Sequence, residues 1–71
     1  MDDWLKRVAA AIGSDDELTE EDAEALLKIA RIAARESGDR RNAPLLTYLV
    51  GRSRGTRPLD EILEAVRGSS S

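Results

Sequence analysis

Apolar residues recur at helical spacing in four stretches of this chain, separated by short polar links. In the first, Leu5, Val8, Ala9 and Ile12 repeat at intervals of three and four residues, with Trp4 beside them. Asp2 or Asp3 caps this stretch and places negative charge at the positive end of the helix dipole. Gly13 is a natural C-terminal stop. The second stretch opens at Thr19, which with Asp22 three residues on approximates a capping box. Ala23, Leu26, Leu27, Ala30, Ala33 and Ala34 form its expected buried stripe, flanked by Ile29, and Gly38 ends it. In the last stretch Pro58 suits a helix start. Leu59, Ile62, Leu63 and Val66 then share one face, with Asp60, Glu61 and Glu64 opposite.

The third stretch breaks the pattern. Asn42 can cap it, Pro44 fits its first turn, and Leu45, Leu46, Tyr48, Leu49 and Val50 follow with only Thr47 to interrupt before Gly51. A short surface helix should carry one apolar stripe, whereas this one is apolar nearly all round. The expectation is therefore an all-α, compact four-helix domain over residues 1–67, with the third helix as its central pillar and residues 68–71 as a disordered tail. Trp4 is expected to pack on the second or fourth helix and anchor the first. Leu45, Leu46, Leu49 and Val50 are expected to be largely buried, some inside the fold and some at a contact.

Composition narrows what can stabilise such a domain. A chain of 71 residues makes one domain at most and buries only about 60 % of its unfolded surface. Cysteine and histidine are both absent. That removes disulfides, thiolate metal sites, the commonest metal ligand and the usual neutral-pH proton shuttle. Trp4 and Tyr48 are the only aromatic residues, so the core is aliphatic. The supplement left to a small core is self-association or docking on a larger protein. No apolar run approaches the ~20 residues of a membrane span, so no membrane partner is expected. No signal peptide precedes the acidic start, and the expectation is a cytoplasmic protein.

Charge is unevenly placed. Residues 1–30 hold nine acids against Lys6, Arg7 and Lys28, net −6; residues 31–57 hold seven arginines against Glu36 and Asp39, net +5; residues 58–71 carry −2. The acidic run Asp15, Asp16, Glu17, Glu20, Glu21, Asp22 and Glu24 lacks the glycine and glutamate that an EF-hand loop places sixth and twelfth. Its plain reading is a solvated helix start. "GRSRGTR" at 51–57 falls short of a P-loop, since its glycines are one residue too close and no lysine follows Gly55. The alternative reading is a looser anion contact through Arg52, Arg54 and Arg57, or a nucleic-acid contact through the arginine-rich segment 31–57, with Arg31 and Arg35 beside the candidate contacts Arg40, Arg41, Arg52, Arg54 and Arg57. The plain reading is helix-ending glycines with solvated arginines between them. No nucleophile–base pair stands at a meaningful spacing. No enzyme activity and no cofactor are expected. The candidate apolar interface is Ile29, Ile32, Leu46 and Val50, and the economical partner is a second copy.

"DDWL" at 2–5, "LLKIARIAAR" at 26–35 and "APLLTYLVG" at 43–51 resemble a small actinobacterial family of unknown function. Its members carry an acidic-W-L start, a Leu-Ala-Arg-rich second helix and an A-P-L-T-x-F/Y-L-V-G core. They occur alone or appended to molybdopterin-guanine dinucleotide biosynthesis proteins, the molybdenum-cofactor guanylyltransferases. This chain departs in having Arg35 where members often carry histidine, and "GDRRN" where they tend to be Ala-Pro-rich. The resemblance implies a helical accessory module in a molybdenum-cofactor setting, with no catalytic residue to carry over.

Overall fold

The first two helices begin at side-chain caps, and the first three end at glycines. In the computed structural model, which describes residues 2–14 and 18–70, the helices are α1 (Asp3–Ala11), α2 (Glu20–Glu36), α3 (Asn42–Ser53) and α4 (Leu59–Ser70), with no strand among the described residues. The Asp2 carboxylate accepts the Leu5 amide at 2.8 Å and the Thr19 hydroxyl oxygen accepts the Asp22 amide at 3.0 Å. Gly13, Gly38 and Gly55 take positive φ, the left-handed backbone that closes the turns after α1, α2 and α3. At the end of α1 the Ser14 amide donates to Ala9 and the Gly13 amide to Ala10, the paired bonds of a Schellman cap.

Asn42 does not cap α3. The residue at the cap is Arg41, without a side-chain cap bond. Asp39 acts two residues upstream instead, its carboxylate accepting the Arg41 amide at 2.9 Å. The last helix runs to Ser70, so residues 68–70 are helical where a disordered tail was expected; Ser71 lies outside the described residues.

The pillar of the fold is α2. Ala25, Ile29 and Ala33 lie four residues apart along one ridge, and Ile29 is 0 % exposed. The flanking alanines let other helices approach closely. Both α3 and α4 dock on α2. Ala25 and Ile29 form the core with Val50 of α3 and Leu59, Ile62 and Leu63 of α4; Leu26, Ile32, Leu46 and Val66 pack half-buried around it. The α4 stripe is thus the one read from spacing. On α2, Leu27 is exposed and Ala25 is buried in its place.

The expectation of a buried third helix is overturned. Only Val50 of α3 is buried, with Ala43, Leu46 and Thr47 half-buried on the same face. These positions follow helical spacing. The Thr47 hydroxyl is satisfied within the helix, donating to the carbonyls of Ala43 and Pro44. Leu45, Tyr48 and Leu49 face away and are exposed. Where a helix is apolar on every side, its neighbours choose the face, and here α2 chose the one with the smaller side chains.

The first helix is also not placed as expected. None of its described residues is buried, and Trp4 is 61 % and Ile12 76 % exposed. It has no packing against the other helices comparable to theirs on α2. The radius of gyration, 12.5 Å, exceeds the roughly 11 Å of a compact chain this long.

Ile29→Ala is expected to cost about 2–5 kcal/mol, most of what a core this size supplies. Leu49→Ala should stay within about 0.5 kcal/mol. Urea denaturation followed by circular dichroism separates the two; a Leu49 variant as damaged as the Ile29 variant would restore the third helix to the core. Gly51 sits inside α3 at an ordinary helical φ with open space where a Cβ would stand. Gly51→Ala should therefore stabilise the fold by about 0.5–1 kcal/mol, visible as a raised melting temperature.

Candidate interaction surfaces

Because α3 and α4 both lean on α2, their outer edges leave an open apolar groove of about 520 Å³ between the three helices. Ile32 forms one wall, Leu46 and Leu49 a second, and Ile62 and Val66 the third. Exposed Glu36 and Arg57 bring opposite charges to it. A smaller apolar recess beside Leu45 shares Ala33, Leu46 and Leu49 with it. Of the expected interface residues, Ile32 and Leu46 line this groove half-buried. Val50, 4 % exposed, lines the floor of the groove, and Ile29 is taken wholly into the core.

The second apolar surface is α1. Trp4, Leu5, Val8 and Ile12 lie on one side of the helix at three- and four-residue spacing, all exposed. A nine-residue helix is shorter than the ~12–15 residues at which isolated helices become even marginal in water. Its caps close its ends but cover none of this face. The sequence signal was a regular amphipathic stripe; spacing says that a face wants covering and does not say by what.

The arginines do not converge. Arg40 and Arg41 precede α3, while Arg52 lies in its last turn and Arg54 and Arg57 follow it, so ten helical residues separate Arg41 from Arg52, or about 16 Å. Several of their donors are already directed to the chain itself. The Arg52 guanidinium donates to the Tyr48 hydroxyl at 2.9 Å and lies 5.8 Å from the ring centroid, a cation–π contact. Arg57 donates to the carbonyls of Ser53 and Arg54, and Arg54 to that of Arg57. These bonds satisfy carbonyls at the negative end of α3 and fix the turn into α4. Arg54 also pairs with Asp22 at 3.8 Å, both half-buried, tying the start of α2 to the end of α3. No shared basic face forms among these five.

The acidic cluster is only partly described, since Asp15, Asp16 and Glu17 lie outside the described residues. Among the described residues no three acids gather closely enough to hold a metal ion. No helix of the described residues is long and apolar enough to cross a membrane.

Residues 1–70 match a family described as a domain of unknown function, DUF6457. The chain belongs to that family. No curated protein and no solved structure matches the chain. The match takes in α1 as well as the three packed helices, so the helix that buries nothing is part of the family's domain.

One electrostatic consequence is measurable. The Arg41 guanidinium, bonded to the Asp39 carboxylate at 2.9 Å, holds that carboxyl below its ordinary range, and the Arg41 amide adds to the effect. With a folded-state pKa below the unfolded value, the pair's contribution is fully present above about pH 4. It is lost as pH falls through the lowered pKa. Both groups are solvent-accessible, so the contribution is small and weakens with salt. An NMR titration should place the Asp39 midpoint below that of a free aspartate, and Arg41→Ala should return it.

Proposed function

We propose that this domain is a non-catalytic interaction module that self-associates or docks on a partner protein. The observation that carries the reading is the pair of uncovered apolar surfaces, the α1 face and the groove on α2, α3 and α4, in one small chain. The accessible surface of 5610 Å² compares with about 4,400 Å² for a folded monomer of this mass. The difference, about 1,200 Å², is larger than the ~800 Å² per partner of a standard protein interface. Exposed apolar residues gathered into such surfaces mark interaction sites.

The resemblance of the "APLLTYLVG" segment supports an actinobacterial setting beside the molybdenum-cofactor guanylyltransferases. In that setting the nucleotide chemistry belongs to the other domain, and this chain contributes a surface. The anion reading draws no support from Arg52, Arg54 and Arg57, whose donors are directed largely to their own helix end.

Sedimentation velocity tests the proposal, run over a range of concentrations, in low and high salt, alone and with a guanylyltransferase of this setting. The expected result is a species heavier than the 7.8 kDa chain, alone or in the mixture, that survives high salt because apolar burial drives it. Binding confined to nucleic acid, falling steeply with salt, would sink the interaction reading, as would a single 7.8 kDa species in every mixture.

A further inference from the structure

We infer that the two uncovered surfaces are halves of one contact, in which the α1 helix of each chain lies in the groove of a second copy. This inference rests on the interaction reading above and names the partner. Both halves are present on every chain, so a twofold pairing covers both at once, with each copy giving its helix and receiving its partner's. Helix-in-groove recognition uses anchors at i, i+3, i+4 and i+7, the spacing of Leu5, Val8, Ala9 and Ile12, with Trp4 beside them. Trp4 is the large amphipathic anchor that such contacts favour. The groove offers aliphatic walls at Ile32, Leu46, Leu49 and Val66.

Three further observations select a second copy over other occupants. The surplus accessible surface on each chain, about 1,200 Å², is more than the ~800 Å² that a standard interface removes from each partner. The charges on the two surfaces can pair between copies, since α1 with its cap and the groove each present acids and bases in equal number. Locally, Asp2 and Asp3 stand at the start of α1 with Lys6 and Arg7 one turn on, while the groove presents Arg57 and Glu36. Finally, the chain's own α1 is poorly placed to reach its own groove. Half-buried Leu18 lies in a recess with Leu26, Val50 and Leu59. The α1 cap closes at Ser14, so four peptide links at full stretch give about 14 Å. Ile32 lies about 18 Å along α2 from its first residue. Self-docking therefore needs this link drawn almost straight along α2.

Trp4 is the only tryptophan, so its fluorescence reports the contact directly. Sedimentation velocity and Trp emission are to be followed together, from sub-micromolar to tens of micromolar chain, for the parent, Ile12→Glu and Leu49→Glu. Both substituted positions are exposed, and far-UV circular dichroism checks that the bundle persists. The parent should dimerise with a concentration-dependent blue shift, and each variant should weaken the dimer at least about tenfold and keep its Trp exposed. Mixing the two variants should recover one of the two contacts, with a blue shift from the Leu49→Glu copy, whose α1 is intact. A parent dimer that Leu49→Glu leaves unchanged, with Trp4 exposed, overturns the α1–groove contact while self-association stands. A monomer with buried Trp4 at every dilution overturns it in favour of self-docking. A monomer with exposed Trp4 throughout overturns the homodimer, and the broader interaction reading then rests on the mixtures.

Discussion

The burial of Ile29 between three helices is the contact on which the other features depend. It is fully enclosed because Ala25 and Ala33, one turn to either side, are small enough to let α3 and α4 come close. Val50 meets this ridge from α3, and Leu59, Ile62 and Leu63 from α4. Packing two helices on one leaves the outer seam between them open, and the groove is that seam. The same side chains that make the core therefore shape the surface beside it: Ile32 is one turn of helix from Ile29, and Leu46 one turn from Val50.

A core of this size leaves little stability in reserve, and local interactions supply part of what holds it together. The Thr19 cap starts α2, and Asp39 orders the chain into α3. The arginines after α3 close its last turn on their own backbone. Their role in the fold is to satisfy carbonyls and aim α4 back onto α2. This accounts for an arginine-rich segment without assigning it a ligand. The Asp22–Arg54 pair joins two helix ends that the apolar core alone does not clamp.

The first helix stands in a different relation to the domain. It is closed at both ends by its own caps, yet it buries nothing. Helices this short owe their stability to packing of an apolar face, and the face is there, with the tryptophan on it. In the proposed pairing the partner's groove supplies that packing. Folding of α1 and association of the domain are then coupled, and the ordered helix is a property of the assembly as much as of the chain.

The sequence by itself determined the four helices, because caps, glycine stops and helical spacing act over a few residues and need no tertiary context. It also determined the α4 stripe, where acids opposite Leu59, Ile62, Leu63 and Val66 leave only one face to bury. Membership of a helical family was legible in "DDWL" and "APLLTYLVG" for the same reason, since both are local strings. Tertiary structure alone decided which helix is central. The third helix, apolar all round, carries no preference of its own, so its larger residues Leu45 and Leu49 ended outside and Val50 inside. It likewise moved Ile29 and Val50 from an expected interface into the core and left Trp4 in the open. Spacing specifies that a face must be covered; only the three-dimensional arrangement of the other helices settles whether the chain has anything left to cover it with.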